Sequence, residues 1–203
     1  MFKRFSLFMF EVLTMAVILT SCHHQPIPKP KGFLRIDLPQ KAYKDFDTTF
    51  PYAFQYPAYS LIKPARKPVE NPYWIDIVFP IFKATVYLSY KPIHDNLQQY
   101  TEDSRTFVMK HIPKASSIEE FVVQNPDANV YGLFWLIKGR EAASPCQFYL
   151  TDSSKHFLRG ALYYDFNPNN DSLAPVTNFL ISDIQHLAQT LKWKNIGHIS
   201  TLK

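Results

Sequence analysis

The sequence predicts an α+β fold: a single domain in which one mainly antiparallel β-sheet is packed by two helices. Three observations predict it. Segments with period-two apolar alternation follow one another in blocks, joined by short turn sequences, instead of alternating singly with helices. Apolar residues recur at helical spacing in two segments, near 96–111 and 173–191. Aromatic residues abound, with 17 Phe and 12 Tyr against 5 Gly, a composition suited to packed strands.

Taken in chain order, the first element is a leader. Lys3 and Arg4 precede the apolar run Val12–Leu19, which ends at Leu19-Thr20-Ser21-Cys22. A basic start, an apolar stretch and small residues before a cleavage point make a secretory signal. A cysteine directly after that point turns it into a bacterial lipobox. The thiol of Cys22 takes a diacylglycerol, the leader is removed after Ser21, and the new N-terminus is usually acylated too. Two or three acyl chains, at roughly 0.8 kcal/mol per buried methylene, hold a protein on a bilayer. A transmembrane span needs about 20 apolar residues; here Glu11 interrupts the apolar region, and no other such run occurs. The expected organisation is a signal peptide over 1–21, a lipidated proline-rich tether over 22–32, and one globular periplasmic domain over 33–203.

Composition bounds the partners. Removing 21 residues from 203 leaves 182, enough for one domain with a sizeable core. Lys3, Arg4 and Glu11 leave with the leader, so the formal charge falls from +5 to +4. That charge is spread along the chain without the clustered stripe of a nucleic-acid binder. With Cys22 consumed by lipid, Cys146 has no intramolecular partner, and its apolar neighbours Phe148 and Leu150 favour burial over a redox role.

In the tether, Pro26, Pro28 and Pro30 favour an extended conformation of about 3.1 Å per residue; the exposed pair His23-His24 reads as incidental rather than metal-binding. Phe33–Leu38 alternates apolar with charged residues and predicts a strand. Residues 50–72 are broken by five prolines and allow only short edge strands such as Ala53–Tyr56. Tyr73–Phe79 and Ala84–Tyr90 predict a hairpin across Pro80–Lys83. Asp95 or Asn96 caps a helix through about His111, with Leu97, Tyr100, Phe107 and Val108 apolar, stopped by Pro113. Strands follow at Glu119–Val123, Val130–Ile137, Gln147–Leu150 and His156–Tyr164. A final helix runs from Leu173 or Pro175 to Leu191, with Asp171 or Ser172 as cap and Phe179, Leu180, Ile184, Leu187, Ala188 and Leu191 on one face.

Catalytic patterns are weak. Ser60-Leu61-Ile62-Lys63 matches Ser-x-x-Lys in form, but no companion element follows it. Thr151-Asp152-Ser153 with His156 is the best nucleophile–base grouping, yet adjacent turn residues rarely converge as catalysis requires, and a structural turn explains them. His94, His111, His156 and His186 have no metal-ligand spacing and read as surface or hydrogen-bonded residues. Glu102-Asp103 and Glu119-Glu120 read as solvated faces. The run Val130–Trp135 either lines a ligand groove or is a buried strand under a helix; the second is favoured.

The segment Pro28–Asp37, soon after the lipobox, resembles the start of the gliding motility lipoprotein GldD family. Lys83–Tyr90, Val130-Tyr131-Gly132, Gln147–Ser153, His156–Tyr164, Asn167–Ser172 and Thr190–Lys194 extend the resemblance across the mature chain in order. Two features, Phe54-Gln55-Tyr56-Pro57 and Asp183-Ile184 before Thr190, are similar to the PsbP-like sandwich, an analogy of fold alone.

The resemblance implies a non-enzymatic accessory lipoprotein, lipid-anchored in the cell envelope and facing the periplasm, required for gliding motility and associated with type IX secretion. The sequence motifs give no cofactor and no metal. The implied partners are the membrane, through Cys22, and other gliding and secretion proteins, not nucleic acid. A rival reading is a periplasmic lipoprotein that binds a small ligand in an aromatic groove or assists outer-membrane assembly; a hydrolase ranks third. For protein contacts, the polar loops Gly139–Pro145, Thr151–Lys155 and Asn167–Ser172 predict one patch containing Arg140, Thr151, Asp152, Ser153, His156 and Asn170. The anchor is testable first. Cys22→Ser removes the acyl acceptor, so metabolic acyl labelling should vanish and the protein should leave the detergent phase; retained label on the substituted chain would contradict the lipobox.

Overall fold

Period-two burial builds the sheets of the computed structural model, which describes residues 36–65 and 72–194. The strands are β1 (Tyr43–Phe46), β2 (Tyr52–Pro57), β3 (Leu61–Pro64), β4 (Ile75–Phe79), β5 (Ala84–Pro92), β6 (Ser117–Asn125), β7 (Val130–Lys138), β8 (Cys146–Thr151), β9 (His156–Tyr164) and β10 (Lys192–Trp193). Helix α1 (Leu97–Met109) lies between β5 and β6, and α2 (Asn170–Thr190) between β9 and β10. A seven-stranded sheet has the order β3-β4-β5-β9-β8-β7-β6, and a three-stranded one the order β1-β2-β10. Every pairing is antiparallel. The expected α+β fold with two helices is therefore what forms.

Two hairpins use one device. Pro80–Phe82 forms a single 3-10 turn closed by Lys83 at φ 47°, and Pro126–Ala128 repeats it with Asn129 at φ 51°. Proline presets the first dihedral, and the left-handed residue returns the chain; asparagine tolerates that region best among non-glycine residues.

The inner face of the large sheet carries Ala84, Val86, Leu88 and Tyr90 from β5, Leu158, Leu162 and Tyr164 from β9, and Cys146, Phe148 and Leu150 from β8. Register places Phe148 between Phe134 and Gly160. Its ring stacks on Phe134 at 4.8 Å and lies across Gly160, where any Cβ would overlap it. The glycine is required by that close approach. Helix α2 closes this face with Val176, Leu180, Ile184, Leu187 and Ala188. Phe179 is only half-buried, stacked on Tyr59 at 5.7 Å and edge-on to Phe82 at 5.9 Å.

Asp183, 1% exposed within α2, holds the segment before β2 against the helix. Its carboxylate accepts from Lys41 Nζ at 2.6 Å, from the Tyr43 hydroxyl at 3.0 Å and from the Tyr59 hydroxyl. Three donors offset the desolvation of this charge.

Several expectations need correction. Ile36-Asp37-Leu38 forms no strand, and Phe33–Arg35, like the leader, Cys22 and the tether, lie outside the described residues. The first strand is instead β1, which has a single buried residue and hence no alternation to read. Helix α2 starts at Asn170, so Asp171 and Ser172 sit in its first turn and Asn169 takes the cap position without a side-chain bond. Helix α1 follows Asn96 but ends at Met109, and Phe107 faces outward at 42% exposure.

Leu187→Ala should cost about 2–5 kcal/mol in urea unfolding, because Leu187 is 2% exposed; Phe121→Ala, on a half-exposed side chain, should cost under about 1 kcal/mol. Equal costs would contradict the inner-face assignment. Burial pushes the Cys146 thiol up to about 12. The thiolate is the reactive form, so at pH 8 the full-length Cys22→Ser chain should show no thiol reactive toward a disulfide reagent until denaturant is added. Rapid native labelling would contradict this.

Candidate functional site

Helix α1 packs on the outer face over β8 and β9. Val108 is its anchor, buried against Trp135, Ile137 and Ala142. Ser104, also buried, returns its hydroxyl to the Tyr100 carbonyl at 2.8 Å. Beside the helix, among the described residues, a groove of about 500 Å³ runs over the outer face of β4, β5 and β9.

Strand register assembles the floor. Tyr87 pairs with Asp76 and Ala161, Ser89 with Arg159, and Lys91 with Phe157. Trp74 closes one end, its indole N–H donating to the Tyr90 carbonyl at 2.7 Å. Tyr100, Asp103, Ser104 and Phe107 of α1 make the wall. Two cations rest on aromatic rings of that wall: Lys91 Nζ lies 4.6 Å from the Tyr100 ring centre, and the Arg159 guanidinium 4.6 Å from that of Phe107.

Arg159 is held by a relay. Its Nη2 donates to Gln147 Oε1 at 2.6 Å, and Gln147 Nε2 lies 2.8 Å from His111 Nε2. Burial, and secondarily the Arg159 charge, hold the His111 pKa below its ordinary value. The neutral ring therefore accepts from the Gln147 amide and turns the amide oxygen toward Arg159. Burial also pulls the Arg159 pKa down, yet a guanidinium stays protonated throughout the working range. The groove offers apolar contact together with two cations, Lys91 and Arg159, and two carboxylates, Asp76 and Asp103. Its serine hydroxyls are committed to backbone, Ser104 to Tyr100 and Ser89 weakly to the Arg159 carbonyl at 3.5 Å. Among the described residues, no group of three His, Cys, Asp or Glu side chains is placed to hold a metal ion.

The six residues expected to share a contact patch do not form one. Asn170 and Arg140 sit together: the Asn170 amide donates to the Gly139 and Ala142 carbonyls at 2.6 and 2.9 Å, and its backbone N–H to Arg140 at 3.1 Å. Thr151, Asp152, Ser153 and His156 lie at the opposite end of β8, roughly 17 Å away along six strand residues. Thr151 and His156 are buried. Thr151 Oγ1 donates to the His156 carbonyl at 2.7 Å and accepts from Ser153 N–H at 2.9 Å. Asp152 Oδ1 accepts the N–H groups of Ser154, Lys155 and His156. Burial opposes ionisation of Asp152, but these bonds outweigh it and hold its pKa below the usual value. The His156 ring stacks on Trp193 at 5.1 Å, with Nδ1 2.8 Å from the Tyr90 hydroxyl. Its pKa is lowered by burial, against the pull of Asp152. No hydrogen bond joins His156 to Ser153, and the four residues form a structural turn.

The remaining candidates are also structural. Ser60 donates to the Pro57 carbonyl at 2.7 Å, His186 stacks on Tyr43 at 3.7 Å and faces Gln55, and His94 is exposed. Glu119 pairs with Lys138, while Glu120 accepts from Trp135 Nε1 at 2.7 Å, so this acidic pair is more than a solvated face. Val130 and Phe134 point into the core, and Trp135 is buried under α1. That run does not line the groove. Trp74, Tyr87, Phe157 and Arg159, which do, come from three separate segments, and nothing in their local sequence marks them as neighbours.

The described residues contain no helix long and apolar enough to cross a membrane. The structure is similar to the solution structure of cyanobacterial PsbP (CyanoP) from Synechocystis sp. PCC 6803, at 11% identity and a TM-score of 0.48, covering 84% of this chain and 100% of that one. No curated protein matches the chain. The family described as gliding motility lipoprotein GldD matches residues 23–193. A match over so much of the sequence means that this protein belongs to the gliding motility lipoprotein GldD family.

Proposed function

We propose that this lipoprotein is an accessory component required for gliding motility and the associated type IX secretion, anchored through Cys22, facing the periplasm, and acting by contact with other envelope proteins rather than by catalysis. Family membership supports the process. The observation that supports contact is the edge strand β6. Among the described residues it pairs with β7 alone. Such an edge presents unpaired backbone N–H and C=O groups, which proteins usually shield with lysine, proline or a bulge. Over Ser117–Asn125 there is no Lys and no Pro, and both acids turn to partners in the same chain. Phe121 and Val122 stand exposed at 49% and 68%. An extended segment of an envelope protein can add here as an eighth strand.

A second reading, binding of a small ligand, is favoured by the groove beside α1, whose size lies within the roughly 300–1,000 Å³ of ligand pockets.

Complementation of a deletion strain tests the contact reading. The full-length chain should restore gliding and adhesin export. Val122→Lys should fold and be lipidated yet restore neither, because a lysine at the edge blocks strand addition. Full restoration by Val122→Lys would contradict contact at β6, and complete loss from Ser153→Ala or His156→Ala in folded, abundant protein would revive catalysis.

A further inference from the structure

We propose that the groove beside α1 binds an anionic amphiphile, a single carboxylate on an apolar chain, with the chain lying on Trp74, Tyr87 and Phe107 and the carboxylate on Arg159. The proposal rests on the ligand reading of the groove and is independent of contacts at β6.

Arg159 carries the argument. Its side chain is half-buried, and a cation drawn out of water is normally met by a carboxylate. Here no ion pair joins it to any described acid. Its one side-chain hydrogen bond goes to the neutral Gln147, and its plane rests on Phe107. A guanidinium presents five N–H donors in a rigid fork that suits a carboxylate in two-point contact. Two acids line the same groove without answering it. Asp76 is engaged elsewhere and lies on β4, with β5 between it and Arg159. Asp103 is exposed on α1.

The rest of the groove defines what the anion is attached to. The lining is dominated by aromatic side chains, and its two serine hydroxyls are committed to backbone. The planar fork of Arg159 beside an apolar lining suits the two oxygens of a carboxylate. Lys91, which pairs with Phe157 and stands two residues along β5 from Ser89, the partner of Arg159, rests on Tyr100 and lines the same groove. The relay from His111 through Gln147 fixes the orientation of the fork before a ligand arrives, which lowers the ordering cost of binding.

The test titrates the full-length Cys22→Ser chain with dodecanoate, dodecanol and dodecylamine below their aggregation limits, read by calorimetry and by tryptophan fluorescence. Dodecanoate should bind at one per chain and more tightly than the other two. Arg159→Gln should weaken dodecanoate about tenfold and leave dodecanol unchanged, while Arg140→Gln, remote from the groove, should change nothing. Phe107→Glu, at an exposed helix position, places a carboxylate beside Arg159 and should also abolish the preference; it keeps the test decisive if Arg159→Gln does not fold. Equal binding of dodecanoate and dodecanol would overturn the anion assignment and leave a ligand groove. Binding of neither would overturn both.

Discussion

A helix about 10 Å across can cover two strands spaced about 4.8 Å apart, and the large sheet of this protein is seven strands wide. That mismatch governs the molecule. The inner face escapes it because α2, 21 residues long, is helped by the three-stranded sheet. Tyr52, Phe54 and Phe46 extend the cover where the helix stops. On the outer face α1 works alone with 13 residues and is fixed over β8 and β9 by Val108. Nothing among the described residues of equal size covers β4 and β5; that half carries Trp74 and Tyr87, and beside it Lys91 and Arg159 lie on the α1 rings of Tyr100 and Phe107.

The inner seal depends on polar chemistry as well as apolar burial. Asp183 sits in the middle of α2 and would be costly there alone. Lys41, Tyr43 and Tyr59 converge on it from the N-terminal segment and the turn after β2. Burial, then the Asp183 hydrogen bond and its charge, push the Tyr43 hydroxyl up to about 12, so it stays a donor at any physiological pH. Thr190 adds a second link, accepting from the Gln55 backbone at 3.0 Å. These bonds join the helix to the small sheet, which is why a sheet so poor in alternation forms at all.

Legibility followed local periodicity. Strands β4, β5, β7, β8 and β9 bury alternate residues on a deep face, and their apolar pattern shows in the sequence. Strands β1 and β3 bury little, and β10 is two residues long, so each is specified by pairing with a distant partner. Phe33–Leu38 has the alternation of a strand, yet over Ile36–Leu38 no neighbouring strand meets it. The turn chemistry of Thr151–Lys155 was readable because Asp152 bonds its own backbone. Its distance from Arg140 was not, since that depends on β8 running between them. The groove was least legible. Arg159 stands in an apolar run that announces a strand, and only register across β5, β9 and β8 shows it facing aromatic rings and an amide instead of an acid.

Among the described residues the outer face over β4, β5 and β9 holds an accessible groove while the inner face is closed. Thiol accessibility measures both at once. In the full-length Cys22→Ser chain, Ser89→Cys places a thiol of nearly the same size on the groove floor, and Cys146 reports the inner face. Under native conditions the thiol at position 89 should react within minutes and be protected by dodecanoate, with Cys146 silent. A thiol at position 89 that reacts only as fast as the whole protein unfolds would show the outer face closed and contradict this account.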